Sequence, residues 1–301
     1  MTRHLLLSLL FVGCGTSATV RFEDGGDASS NSSDGGTTDP GRSDASFAGD
    51  DAASPDGCSE ASKLVYLFTD QADLYSFDPP TKKLTSLGSL SCASAASPNS
   101  MAVSRDGTAY VNYADGSIFK VDTKTLACAS TSFKAAGWNQ MGMGFSTNGT
   151  SGSEETLYVA KTDVFATSEL ARVALPSMTL APIKGFSSAF ANLNPELTGT
   201  GDGRLYGFFV DSSFGSAAKL AELSKTDASA LSTVTLSKIT SVGAWAISFW
   251  GGDFYLYYAS DSGNTKVGRY RPSDKTFVDY MTTTVRIVGA GVSTCAPTTP
   301  R

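Results

Sequence analysis

From residue 63 onward, apolar and polar residues alternate in short runs with a period of two, and clusters of Asp, Gly, Pro, Ser and Lys separate the runs. One run recurs. A hydrophobic residue followed by Tyr appears in "LVYLF", "AYVNY", "LYVAK", "LYGFF" and "FYLYY", which places Tyr66, Tyr110, Tyr158, Tyr206 and Tyr255 at spacings of 44, 48, 48 and 49 residues. Each is followed by a turn and a second strand, "LYSFD", "IFKVD", "LARVA", "LAELS" and "VGRYR", beginning at Leu74, Ile118, Leu170, Leu220 and Val267. Turn-rich links such as "DPPTKK", "DTKT", "SKTD" and "RPSDK" then lead to third strands, "LTSLGSL", "LACASTSF", "MTLAPIKGF", "LSTVTLS" and "TFVDYMT".

Ahead of the Tyr strand lies a further segment, rich in small and apolar residues and closed by Asp-Gly or Gly-Gly: "SMAVSRDGT", "MGMGFSTNG", "LTGTGDGR" and "WAISFWGGD". Four strands in about 47 residues, the first short and Gly-rich, match a propeller blade whose innermost strand packs near the axis. Five Tyr strands predict an all-β, five-bladed propeller. The first blade lacks an inner strand, and "VRIVGAGVSTC", residues 285–295, has the character of one. It is expected to complete blade one and close the ring, since closure removes the open sheet edge between first and last blades. The alternatives are that it extends the outer strand of blade five or that a sixth blade is present. Residues 61–297 resemble bacterial propeller repeats of the extracytoplasmic kind. They lack the Trp-Asp ending of WD repeats and the Ser-x-Asp-x-Gly-x-Thr-Trp box of sialidase-like blades, so the resemblance implies an architecture and no catalytic residues.

The N-terminus follows a different pattern. Arg3 precedes the apolar run Leu5 to Val12, and Gly13 and Cys14 end it. This is the order of a secretory signal, and a run of eight residues falls far short of the roughly 20 that a membrane span needs. Phe11, Val12 and Gly13 ahead of Cys14 resemble the lipobox of bacterial lipoprotein precursors, with Phe11 standing where Leu is usual. The resemblance implies cleavage after residue 13, acylation of the Cys14 thiol and anchorage in the lipid bilayer through it. Gly15 stands where many inner-membrane lipoproteins carry Asp, which points to the outer membrane of a Gram-negative envelope. The expected organisation is a signal peptide at 1–13, a lipidated Cys and disordered acidic linker at 14–60, the propeller at 61–297 and a tail at 298–301.

Charge sharpens that division. The whole chain of 301 residues carries a formal −6, yet residues 15–60 hold ten acids against two arginines, and from residue 61 onward 20 Lys and Arg face 19 Asp and Glu. The acidic stretch is poor in apolar residues and cannot offset its chain entropy by burial, so it reads as a self-repelling leash. No basic patch points to nucleic acid. Asn31 and Asn148 match glycosylation acceptors, but beside a bacterial lipidation signal they read as loop residues.

Setting Cys14 aside leaves Cys58, Cys92, Cys128 and Cys295, an even set in an exported domain, which reads as two disulfides. Cys58, just before the first blade, and Cys295, in the closing strand, meet if the ring closes as expected. Cys92 and Cys128 would then staple blades one and two. A zinc site is the rival, but the ligand spacing is wrong for it.

The only histidine is His4, inside the signal segment, so the expected mature chain contains none. That excludes Ser-His-Asp and Cys-His nucleophile systems and the usual His-based metal centres. Paired carboxylates need no His, but Asp78, Asp106, Asp115, Asp122, Asp202 and Asp253 fall at turns and strand ends, where Asp serves the backbone. "TGTGDG" has too few evenly spaced oxygens for calcium. Trp138, Trp245 and Trp250 lie in or beside inner strands and are the candidates to stack on a ligand, although such residues more often fill the wedge between blades. No cofactor and no metal are expected. The reading is a binding or scaffolding module for an envelope protein or glycan; the alternative is a carboxylate-dependent glycan hydrolase or lyase on the same fold.

Overall fold

The computed structural model describes residues 58–161, 167–211, 215–261 and 263–300. Cys14, the signal segment and nearly all of the linker lie outside them. Within them the protein is a five-bladed β-propeller built from 20 strands, and its one helical piece is a single 3-10 turn at Ala61–Lys63. Blade one holds β1 (Val65–Thr69), β2 (Asp73–Asp78) and β3 (Lys83–Ser89), with β20 (Ile287–Val292) on its inner side. Blade two runs β4 (Pro98–Val103), β5 (Thr108–Tyr113), β6 (Ile118–Asp122) and β7 (Cys128–Ser130) from the inside outward. Blade three is β8 (Met141–Thr147), β9 (Glu155–Lys161), β10 (Glu169–Ala174) and β11 (Thr179–Gly185). Blade four is β12 (Asn194–Gly199), β13 (Leu205–Val210), β14 (Ala218–Leu223) and β15 (Ala230–Leu236), and blade five is β16 (Ala244–Trp250), β17 (Asp253–Ala259), β18 (Lys266–Arg271) and β19 (Thr276–Thr282).

The ring closes with a strand from each end of the chain. β20 pairs antiparallel with β1, setting Val65 opposite Val292, Tyr66 opposite Gly291 and Leu67 opposite Ala290. Just outside this pairing Cys58 is bonded to Cys295, with Cα atoms 5.7 Å apart, and Cys92 is bonded to Cys128 across blades one and two, at 5.2 Å. Two disulfides fit an oxidising, extracytoplasmic compartment.

Burial falls from the axis outward. Every residue of β8 and β12 is buried, whereas the outer strands β3 and β19 are mostly exposed. Near the axis neighbouring inner strands come so close that side chains are excluded: a Cβ on Gly144 would sit 2.9 Å from the Leu197 carbonyl carbon, and one on Gly289 2.9 Å from the Met101 nitrogen. Farther out the Tyr strands and their neighbours fill the wedges. Met141, Met143 and Phe145 meet Tyr110 and Ile118 between blades two and three, and Tyr206 and Phe208 meet Phe249 and Phe254 between blades four and five. Phe77 closes the wedge between blades five and one, edge-on to Tyr255 and Tyr257 at 5.8 and 6.2 Å.

Two elements differ from the sequence reading. Blade two's outer strand covers only Cys128–Ser130, although the alternating pattern ran from Leu126 to Phe133. Its neighbour β6 pairs with it at three positions, Phe119 to Val121, and Phe133 turns inward to join the core. Inner strands also begin earlier than their Gly-rich segments suggested, at Pro98 and Asn194. Proline reads as a strand breaker, yet an innermost strand presents one edge to the axis and needs no ladder donor there.

Candidate functional site

The inner strands gather their starting residues at one end of the axis and their final residues at the other. The final end is sealed by the C-terminal segment. Ser293 Oγ donates to the Ser62 carbonyl at 2.8 Å, Thr294 Oγ1 donates to Glu155 Oε2 at 2.7 Å, and the Gly251 amide donates to the Pro297 carbonyl at 2.7 Å. Arg105 joins the same group, its amide donating to Glu155 Oε1 at 2.8 Å and its guanidinium to Thr294 Oγ1 at 3.2 Å. The Thr294 carbonyl lies so tightly on Gly201 that no Cβ fits there. Loops of blades two to five and the turn ahead of β1 therefore grip one segment, which covers this end of the axis. Burial raises the Glu155 carboxyl, and the Arg105 amide and Thr294 hydroxyl hold that rise in check.

The starting end is open. Pro98, Asn99, Gln140, Glu196, Gly243, Ala244, Trp245 and Val288 surround a cavity of about 150 Å³, so β4, β12, β16 and β20 and the residue before β8 all contribute to its wall. Glu196 is 3% exposed. Ser100 Oγ donates to its Oε2 at 2.8 Å and the Met143 amide donates to the same carboxyl. Burial nevertheless dominates and pushes it well above the ordinary carboxylate range, because two neutral donors do not replace water around a charge. Asn99 Nδ2 donates to Asn112 Oδ1 at 2.8 Å and to the Met141 carbonyl at 3.0 Å, which ties blade two to blade three beside the cavity. The buried Trp245 indole N–H has no hydrogen-bond partner. A buried unpaired donor is costly to keep unless something supplies an acceptor.

The three tryptophans thus separate. Trp245 lines the cavity. Trp138 is buried among Met141, Met143 and Phe145, and Trp250 packs against the closing strands and donates its indole N–H to the Lys63 carbonyl at 2.9 Å. Neither presents a ring to this cavity. Asp78, Asp106, Asp115 and Asp122 accept from hydroxyls or amides of their own turns. Asp202 is bound by Arg204 at 2.7 Å, and Asp253, buried at the start of β17, is bonded to Arg271 by two contacts of 3.1 Å. Among the described residues no three His, Cys, Asp or Glu cluster as metal ligands do.

A larger cavity, about 500 Å³, opens between blades four and five beside Tyr206, Phe254 and Tyr270, with Arg204, Glu222 and Lys275 in its wall. Its rings are 7%, 2% and 5% exposed, so they are spent on interblade packing and present no face for stacking.

Glu196, Asn99 and Gln140 escaped the sequence reading. The signal was present: Glu196 stands one residue ahead of "LTGTGDGR", an acid at the entry to an otherwise small and apolar inner strand.

No family model matches the chain, and comparison with curated proteins gives no match either. Among solved structures it is similar to TolB from Acinetobacter baumannii, with 16% identity, a TM-score of 0.42 and coverage of 71% of this chain and 51% of that one. It is also similar to Kuenenia stuttgartiensis hydrazine synthase, with 14% identity, a TM-score of 0.41 and coverage of 74% and 62%. A prolyl endopeptidase shows 12% identity and a TM-score of 0.36, with 73% and 33% covered. This chain spans less than two thirds of the length of each. At these identities and scores the likenesses bear on neither substrate nor partner.

Proposed function

We propose that the protein is a lipid-anchored binding module of a bacterial envelope. Cys14 carries the anchor, residues 15–60 act as the leash, and the open axial end of the propeller receives a group projecting from an envelope protein or glycan. The observation that carries this reading is the asymmetry of the axis. One end is covered by contacts of the chain's own C-terminal segment, while the other keeps a cavity with a buried carboxyl in its wall. At about 150 Å³ the cavity is smaller than the roughly 300–1,000 Å³ usual for whole small-molecule ligands, which suits the tip of a larger partner. A glycan hydrolase or lyase acting through two carboxyl groups would need both of them around one bond, and Glu196 is the one carboxyl in this cavity's wall.

Two measurements on the full-length protein test the reading. Detergent phase partition should retain the wild type and release Cys14→Ser; retention of that variant would remove the anchor from the proposal. Cross-linking in intact envelopes should capture a partner through the wild type and through Leu231→Ala, altered on an exposed outer strand, but lose it in Gln140→Trp, which fills the open end from an exposed position. Equal capture by Gln140→Trp would refute the axial site.

A further inference from the structure

Resting on that reading, we infer that the open axial cavity takes the cationic tip of a Lys or Arg side chain from a protein partner, with Glu196 as its counter-ion. The wall contains one acid and no base: Glu196 stands among Pro98, Asn99, Gln140, Gly243, Ala244, Trp245 and Val288. A buried carboxyl with no cationic partner is an incomplete arrangement, because its charged form has neither water nor an opposite charge to stabilise it. A guanidinium or ammonium entering the cavity supplies that charge at close range and in a poorly hydrated place, where the attraction is strongest. Trp245 forms part of the wall, held in place by its packing against the wedge between blades four and five. Asn99, fixed by its bonds to Asn112 and Met141, and Gln140 add polar amides beside it. The size of the cavity favours a slender side chain over a sugar ring.

The cation and the proton compete for the same carboxylate. The inner strands β4, β8, β16 and β20 packed around Glu196 bring no titratable side chain. The other packed strands bring Tyr206 from β13 and Glu155, Tyr158 and Lys161 from β9, but the carboxyl's surroundings are set by burial and by the Ser100 and Met143 hydrogen bonds. Raising the pH therefore removes the competing proton, and affinity for a cation should climb until Glu196 is fully ionised.

The test uses full-length protein in detergent, calorimetric titration and four probes: Nα-acetyl-lysine methylamide, Nα-acetyl-arginine methylamide, the uncharged norleucine analogue and glucosamine. The expected result is that one or both cationic amino-acid probes bind at least tenfold more tightly than norleucine. Their affinity should rise with pH above the ordinary carboxylate range, and Glu196→Gln should remove both the preference and the pH dependence. Equal binding of norleucine, no binding of either cationic probe, a flat pH profile, or glucosamine bound in their place would each overturn the inference. The probe comparison and pH profile need only the wild type, so they decide the matter even if Glu196→Gln folds poorly. An envelope partner captured equally by wild type and Glu196→Gln would leave the binding module standing and remove the cation site alone.

Discussion

Replacing Cys58 and Cys295 together by Ser releases a loop of 237 residues in the unfolded chain, the longest covalent constraint in the described structure. In the chain-entropy treatment such a loop contributes about 5.5 kcal/mol at 25 °C. The Cys92–Cys128 bridge closes only 36 residues, and the same treatment gives about 3.8 kcal/mol. The difference, about 1.7 kcal/mol, depends only on the ratio of the loop lengths, so it is firmer than either value. Position adds to length. Cys295 lies three residues beyond the end of β20, which pairs with β1, and Thr294 beside it is bonded to Glu155 and Arg105. Loss of the bridge should therefore free both the closing strand and the seal. Urea unfolding followed by tryptophan fluorescence should place Cys58→Ser/Cys295→Ser below Cys92→Ser/Cys128→Ser by more than 1 kcal/mol, provided the denaturant slopes agree. Hydrogen exchange should quicken first at residues 287–292 and 65–69 while blade four keeps its protection. Equal losses from the two double variants, or exchange rising uniformly around the ring, would refute closure by the terminal strands as the mechanically decisive element.

Other perturbations probe separate parts of the structure. Gly144→Ala drives a Cβ to within 2.9 Å of the Leu197 carbonyl carbon and should cost roughly 1–3 kcal/mol through overpacking at the axis, read as a lowered unfolding midpoint. Asp253→Asn weakens two charge-assisted bonds from the partly exposed Arg271 guanidinium to a buried carboxylate and should lower the unfolding midpoint; a loss that survives high salt would locate the effect in the buried end. Glu196 holds its proton to higher pH in the folded state than in the unfolded chain. The stability linked to it is therefore complete below the ordinary Glu range and is lost as pH rises through the folded value, so Glu196→Gln should flatten stability against pH on the alkaline side. An unchanged slope in that variant would mean that the carboxyl is better solvated than its surroundings indicate.

The five-bladed fold was legible because it is a repeated local pattern. Period-two alternation, turn residues and the Tyr spacing each depend on near neighbours, and five copies reinforce one another. Closure by residues 285–295 followed from a deficit in blade one and a surplus at the other end, which made the meeting of Cys58 and Cys295 a consequence of topology. Tertiary structure alone decided which polar residues share a space. Glu196, Asn99, Gln140 and Trp245 come from four blades and lie up to 146 positions apart in the chain, so no window of sequence contains their relation. It also sorted three equivalent-looking tryptophans into two buried in wedges and one, Trp245, that packs on a wedge and also lines the axial cavity, because the phase and depth of each ring depend on how neighbouring blades pack. Local alternation sets where strands form; the angle at which the wedges meet sets which side chains are left facing the open end of the axis.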